Sequence, residues 1–212
     1  MAGEVDDLVR KLEEGELSSQ EVLEEMKRRR LFHHQNELFP GFFSVLGMTA
    51  WGVLWFLPVL TEIFGLDIVN VPSIEMPVEV GYLASILLVV LVLPLFYAAY
   101  LRSKNSVTGD EDIILVKDGA YGIVRHPSFL AGFMIVIILP IIFASKIPFT
   151  LFTVLGVIAV FVALYLQSLS EEKVNIRKWG DEYRRYMEEV PRFNFILGLW
   201  RRARRDEEKL EE

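Results

Sequence analysis

The stretch from Gly81 to Leu101, GYLASILLVVLVLPLFYAAYL, contains no charged side chain. A helix of this length extends about 31 Å, which matches the roughly 30 Å hydrocarbon layer of a bilayer. We therefore predict a membrane-spanning helix that begins near Val78 and ends near Leu101. The segment from Gly41 to Leu66 holds a single charge, Glu62, and predicts another span before it.

Two further apolar segments run from about Ser128 to Ser145 and from about Pro148 to Leu169. The residues between them suffice only for a tight turn, so we expect an antiparallel helical hairpin. The predicted fold is all-α, a polytopic membrane helical bundle with four transmembrane helices and amphipathic cytoplasmic helices at both ends. The expected divisions are an arm over 1–40, two spans over 41–101, a loop over 102–127, the span hairpin over 128–169 and an interfacial tail over 170–212.

The distribution of lysine and arginine predicts the orientation of the spans. Residues 67–79 contain neither, and the hairpin turn contains only Lys146. Basic residues lie instead on the other side of the predicted spans, at Lys27 to Arg30, Arg102, Lys104, Lys117, Arg125 and along the tail. The positive-inside rule then places both termini and the 102–127 loop in the cytoplasm, with the protein in the inner membrane. Residues 1–38 are too charged for a secretory signal, so the first span is expected to target the chain.

Composition removes several classes of function. The net charge is −7, acidic and basic residues alternate in the tails, and no large basic patch is interleaved with aromatics, so we expect no nucleic-acid partner. The chain has no cysteine, which excludes disulfides and thiolate ligands. It also lacks an H-E-x-x-H pattern, so no metal is expected. The sequence indicates no particular protein partner.

Both terminal segments have amphipathic patterns. Residues 1–38 are predicted to be water-exposed helix, in which Ser18 to Glu21 fits a capping box and Val22 and Met26 share one face. This helix either lies on the protein or on lipid headgroups, or it binds a partner. At the other end, Gly180 predicts a break before a helix through Glu189. The aromatic, aliphatic and arginine-rich stretch after Pro191 is typical of a helix in the membrane interface.

Polar chemistry is concentrated in two clusters. The first, Gly119 to Phe129, contains Arg125 and His126 just before the third predicted span, and the second begins with the pair Glu171-Glu172 just after the fourth. Since the hairpin returns both outer ends to one membrane face, we expect the clusters to be adjacent. Together they could hold a zwitterion, with the cations on its carboxylate and a glutamate on its ammonium. Taken separately, Arg125-His126 could be a snorkelling anchor, the glutamates a solvated helix face, and Tyr183 and Tyr186 belt aromatics.

Taken in order, these pieces resemble the isoprenylcysteine carboxyl methyltransferase family, which is related to the phospholipid N-methyltransferases. The pieces are Gly-x-Tyr-x-x-x-Arg-His-Pro-x-Phe from Gly119, the hairpin, Glu171-Glu172, and Trp-Gly-Asp-Glu-Tyr-x-x-Tyr-x-x-x-Val-Pro from Trp179. The resemblance covers about Lys117 to Phe195. It implies transfer of a methyl group from S-adenosylmethionine to a lipophilic acceptor, a lipid or a prenylcysteine-like molecule, that enters from the bilayer.

The resemblance also implies roles for individual residues. Arg125 and Glu172 would orient donor and acceptor as the catalytic residues, and neither would be covalently modified. Gly119 and Gly132 would allow close packing around the donor. The full set expected to bind the donor is Gly119, Tyr121, Arg125, His126, Pro127, Phe129, Gly132, Glu171, Glu172 and Tyr183.

The sequence departs from the family pattern at two positions. Phe129 stands where the family often has tyrosine, and Gln167 stands where the prenylcysteine enzymes have a basic residue, which counts against a prenylcysteine acceptor. Glu171, Glu172, Tyr183 and His126 are all candidate bases for an amine or thiol acceptor. Two alternatives stay open: an NADPH-dependent oxidoreductase of the sterol-reductase type, whose members share an Arg-His-Pro segment, and a non-catalytic membrane scaffold. The glutamate pair favours the methyl donor, since a 2′-phosphate calls for cations.

Overall fold

The computed structural model describes residues 3–32, 41–65, 72–97, 100 and 115–211. In this part of the chain the structure is mostly helical, as predicted. The chain divides into two compact units. We call Gly41–Pro94 with Phe129–Gln167 the apolar unit. We call Met1–Pro40, Leu95–Ser128 and Ser168–Glu212 together the polar unit.

The apolar unit is built from long apolar helices. Helix α3 covers Phe42–Ile63 and α4 covers Val78–Leu87, which continues into a π-helical turn at Leu88–Val92. Helix α5 covers Pro127–Ile142, and the long helix α6, Leu151–Glu189, begins in this unit.

Two short strands in the apolar unit depart from the all-α prediction. Strand β1, Ser73–Ile74, pairs antiparallel with β2, Phe149–Thr150, so that Ser73 lies opposite Thr150. Each strand has only two residues, so neither produces the alternating apolar pattern by which a strand is recognised in a sequence. Residues 143–150 connect α5 to α6, and this connection is longer than the tight turn that was predicted.

Close packing within the apolar unit depends on small residues. A Cβ atom added to Gly47 would lie 2.4 Å from the Cβ of Ala163, and one added to Gly156 would lie 3.1 Å from the Cα of Trp51. Helix α3 therefore approaches α6 at both glycines, as is common for helices packed in lipid. Around this contact most apolar side chains of α3 and α4 are exposed, which suits a lipid solvent.

Within the residues that the structure describes, three helical stretches are long and apolar enough to cross a membrane, namely Phe42–Thr61, Val78–Tyr97 and the apolar part of α6. The sequence predicts four. Helix α5 is apolar throughout but has 16 residues, or about 24 Å, because it ends at Ile142 rather than at Ser145. The structure therefore supports three candidate spans and one shorter apolar helix.

The polar unit begins with a helical hairpin that we call the N-terminal arm, residues 3–32. Helix α1, Asp6–Glu13, and helix α2, Ser19–Arg28, are separated by a turn in which Gly15 has a φ of 72°. The predicted capping box at Ser18 and Glu21 is present. The two helices bury a small core of Val5, Leu8, Val22, Met26, Leu31 and Phe32. Residues 3–32 therefore form two helices that are separated at Gly15, and each helix covers the apolar face of the other.

The arm is attached to the second half of α6. The backbone N–H groups of Glu4 and Val5 donate to the carbonyls of Arg177 and Lys178, at 3.0 and 3.1 Å. The Arg177 guanidinium contacts the Glu4 carboxylate at 3.1 and 3.2 Å. These contacts support a helix that lies on the protein itself.

The remainder of the polar unit surrounds the two polar clusters. A 3₁₀ turn covers Gly119–Gly122, and Gly180 interrupts α6 with a φ of 53° and a ψ of −126°, at the predicted break. Helix α7 covers Phe195–Glu211. Several predicted features lie outside the described residues: the 33–38 part of the N-terminal segment, the 66–71 part of the first loop, most of the last turn of the second span and the whole of the 102–114 segment.

Candidate functional site

The Gly119–His126 segment is held by the chain that follows α6. The Tyr186 hydroxyl donates to the Tyr121 carbonyl at 2.7 Å. The Arg125 backbone N–H donates to the Pro191 carbonyl at 3.0 Å, and the next N–H, from His126, donates to the residue after that proline at 3.4 Å. These backbone hydrogen bonds thus fix the positions of Arg125 and His126 within the polar unit.

The charged residues of both clusters lie together. Nη1 of Arg125 is 3.2 Å from Oε1 of Glu172, and Nε2 of His126 is 3.4 Å from the same oxygen. Nδ1 of His126 is 3.4 Å from Oε2 of Glu171. Arg125, His126 and Glu172 are buried, whereas the Glu171 side chain is 23% exposed. We call these residues, with Arg192, the charged cluster. What this cluster binds stays a prediction.

Arg192 is the member of the cluster that sequence reasoning missed. Its Nε lies 2.9 Å from Oε1 of Glu172 and its Nη2 lies 2.5 Å from Oε2, in the two-pronged geometry that guanidinium and carboxylate favour. The signal in the sequence was its position directly after Val190-Pro191. The family pattern quoted above ends at Pro191 and does not include Arg192.

The glutamates of the pair have different surroundings. Both oxygens of Glu172 contact cations, from Arg125, His126 and Arg192. Glu172 therefore links these three side chains, and its binding of a donor stays a prediction. Glu171 is partly exposed and contacts His126, so it is the better placed of the two to meet an ammonium group.

Arg125 is a buried cation with incomplete hydrogen bonding. Among the described residues, its Nε and Nη1 have no hydrogen-bond acceptor, because the approach to Glu172 lacks the angle of a hydrogen bond. Burial lowers the pKa of Arg125, while the negative charge of Glu172 opposes that shift. A buried donor left without an acceptor is costly, and an oxygen of a carboxylate or phosphate group would satisfy such a donor.

The two glutamates favour the protonated form of the His126 imidazole. Its burial lowers the pKa of the imidazole, but hydrogen bonds to Glu171 and Glu172 and their negative charges outweigh burial. The pKa of His126 is therefore raised above its ordinary value of 6.5. The cluster thus combines three cationic side chains with two carboxylates.

Tyr183 and Tyr186 belong to an aromatic core rather than to a membrane belt. Tyr183 is 2% exposed, its ring stacks on Trp179 with 5.9 Å between centroids, and its hydroxyl accepts a hydrogen bond from Asn175 at 3.2 Å. The ring centroid of Tyr186 lies 5.7 Å from that of Tyr183. These contacts are with the protein itself, and binding of a donor by Tyr183 stays a prediction.

Neither Gly119 nor Gly132 is closely packed against the described residues, and close packing around a bound donor stays a prediction. A Cβ atom at Gly119 or Gly132 would meet no atom of the described residues within 4 Å. Gly119 instead has a φ of 60°, a conformation that favours glycine, at the start of the 3₁₀ turn. Gly132 and Phe129 belong to the apolar unit, where Phe129 packs against the core of Val136, Val160 and Leu164. Pro127 is the first residue of α5, where a proline is tolerated.

A cavity of about 420 Å³ lies elsewhere in the polar unit. Its lining includes Lys117, Trp179, Asp181 and Tyr186, and none of the residues predicted to bind the donor. Within the described part of the chain, no group of three or more histidine, aspartate or glutamate side chains could hold a metal ion.

Comparison with protein-family models, with curated proteins and with solved structures finds no match to this chain. The methyltransferase resemblance therefore rests on the sequence motifs quoted above. It stays a prediction.

Proposed function

We propose that this protein is an integral membrane methyltransferase that moves a methyl group from S-adenosylmethionine to a lipophilic acceptor at the cytoplasmic leaflet. The observation that carries the proposal is Arg125, a buried guanidinium with two N–H groups that lack an acceptor among the described residues, beside a partly exposed Glu171. This pairing of a cation with an accessible anion fits the amino-acid end of the donor.

The residues of the charged cluster would divide the work as follows. The guanidinium of Arg125 binds the donor's carboxylate, and Glu171 accepts hydrogen bonds from its ammonium. Glu172 is a positioning residue because it contacts Arg125 and His126. Arg192 is a positioning residue because it contacts Glu172. When bound, S-adenosylmethionine supplies a methyl group on a positively charged sulfur. This methyl group would pass to the acceptor by in-line displacement, with the sulfur as the leaving group. Such an in-line displacement depends mainly on aligned reactants in a dry site.

We further propose that α5 is a fourth, short span, which with α6 forms the expected hairpin and leaves both termini in the cytoplasm. The absence of lysine and arginine from residues 67–79 and their abundance in the terminal segments support this orientation. A span of about 24 Å can be accommodated by local thinning of the bilayer. The acceptor would reach the site through the bilayer.

The thermal stability of the detergent-solubilised protein tests the proposal. S-adenosylmethionine and S-adenosylhomocysteine should raise the melting temperature, since a ligand at 100 times its Kd stabilises by about 2.7 kcal/mol. NADPH should leave it unchanged.

The same experiment separates the alternatives. Arg192 adds a third cation to the cluster, which is the observation that favours a phosphate-bearing ligand such as NADPH, although its guanidinium already contacts Glu172. Stabilisation by NADPH alone would replace the methyltransferase with the oxidoreductase. Absence of any response to the three ligands would favour the scaffold.

A further inference from the structure

Helix α7 has one face that is apolar and exposed. Ile196 is 81% exposed and Trp200 is 59% exposed, and Phe195 and Leu199 are exposed beside them. Their spacing of three to four residues places all four on one side of the helix. An apolar face of this kind, unpartnered among the described residues, requires a surface to cover it.

The opposite face of α7 is fastened to the polar unit by arginines. Arg202 donates from Nη1 to the Gly119 carbonyl at 2.8 Å, and Arg205 donates from Nη2 to the Gly122 carbonyl at 2.9 Å. A Cβ atom at Gly198 would lie 1.9 Å from the Ile123 carbonyl oxygen, so the helix backbone contacts this segment directly. Helix α7 is therefore packed on the 3₁₀ turn that leads into Arg125 and His126.

This arrangement assigns most of the arginines to the protein rather than to lipid headgroups. Arg201 also donates inward, to the Glu188 carbonyl at 2.7 Å. Arg204 is on the exposed side, with its guanidinium carbon 5.6 Å from the centroid of the Trp200 ring. The exposed side of α7 is thus mainly apolar, with one arginine stacked on an aromatic ring.

The contacts at the start of α7 indicate which surface is available. Arg192, three residues before α7, binds Glu172, which follows the last apolar residue of the α6 span by three positions. The Phe193 ring lies 5.9 Å from that of His126, which directly precedes α5. The start of α7 therefore lies beside the places where the chain enters and leaves two apolar helices. When those apolar helices cross a bilayer, the bilayer surface lies beside these chain positions and so beside the start of α7.

We propose that α7 is an interfacial helix whose Phe195, Ile196, Leu199 and Trp200 face embeds in the bilayer that the spans cross, while its other face positions the Gly119–Ile123 segment. The attachment is apolar, because the arginines that could bind anionic lipid are bonded within the protein. The inference goes beyond methyl transfer and does not depend on it. It makes the geometry of the charged cluster sensitive to whether α7 is seated on lipid.

The absence of native cysteine allows a direct test of depth. Ile196→Cys, labelled with a nitroxide in vesicles of phosphatidylcholine, should be reached by oxygen and shielded from a water-soluble nickel complex. Arg184→Cys, at an exposed polar position of α6, is the matched control and should show the reverse. Adding phosphatidylglycerol or salt should leave the depth at 196 unchanged. A label at 196 as accessible to nickel as the one at 184 would overturn the proposal and indicate a protein partner for this face.

A second measurement tests the link to the cluster. In the same vesicles, Arg202→Gln should increase amide hydrogen exchange of residues 120–124 at least several-fold while the label at 196 keeps its depth. Ile196→Asn with Trp200→Asn should increase exchange of the same amides, because the helix loses its seat. Unchanged exchange in the double variant, with the helix shown to have left the lipid, would refute the positioning role.

Discussion

The N-terminal arm and α7 carry the same kind of amphipathic sequence pattern and satisfy it in opposite ways. In the arm, Val5, Leu8 and Met26 are almost fully buried, because α1 and α2 cover each other. In α7, Ile196 and Trp200 are exposed. An amphipathic pattern predicts that a helix has an apolar face. What covers that face depends on whether another helix lies next to it. A hairpin can supply its own cover, whereas a single helix must find an external one.

The largest expected effect would break the attachment of α7 while leaving the arm intact. Glu172→Gln removes the buried carboxylate that contacts Arg125, His126 and Arg192, and losing one partner of a buried ion pair costs about 3 to 5 kcal/mol. We expect proteolysis to release the segment after Pro191 while residues 3–32 stay protected. Donor affinity should fall ten-fold or more, or about 1.4 kcal/mol.

Glu171→Gln is the matched control, because Glu171 is partly exposed and contacts His126 alone among the cluster's cations in the described structure. It should keep the stability of the fold and still weaken donor binding. If Glu171→Gln destabilised the protein as much as Glu172→Gln, the distinction between a positioning and a binding glutamate would be wrong.

An intermediate effect would sharpen the comparison of the two amphipathic regions. Met26→Ala removes a buried side chain of the arm and should destabilise that hairpin by about 2 to 5 kcal/mol. Trp200→Ala removes a half-exposed one and should change stability in detergent by only about 0.5 kcal/mol. Hydrogen exchange of residues 8–28 measures the first change, and thermal melting measures the second. Equal losses would mean that the exposed face of α7 is covered by protein.

The smallest effect concerns pH. Because the pKa of His126 is raised in the folded protein, folding is favoured by its protonation below the ordinary value of 6.5. This stabilisation is lost as the pH rises through the raised pKa. The melting temperature of the wild type should therefore decline relative to His126→Gln as pH increases from 6 to 9. Parallel curves for the two proteins would contradict the assignment of the proton to His126.

The features that the sequence predicts well are those encoded locally. Charge-free runs indicate apolar helices, Gly180 marks a break, and Ser18 with Glu21 marks a helix start. The proximity of Arg125 to Glu172 also followed from the predicted hairpin, a simple topological argument. Arg192 could not be found in this way, since its position depends on how the chain returns after Gly180, which is a property of tertiary packing. The turn at Gly15 carried a readable signal, because a glycine followed by Ser18 ends one helix and begins another.

The backbone angles of Gly180 have a wider consequence. With a φ of 53° and a ψ of −126°, this residue bends α6 so that the chain beyond it turns aside instead of extending straight onward. Glycine adopts these angles because it lacks a Cβ atom, and the resulting bend sets the position of the Arg192 guanidinium twelve residues later. Within the polar unit, the conformation of this single residue therefore determines whether Arg192 can reach Glu172.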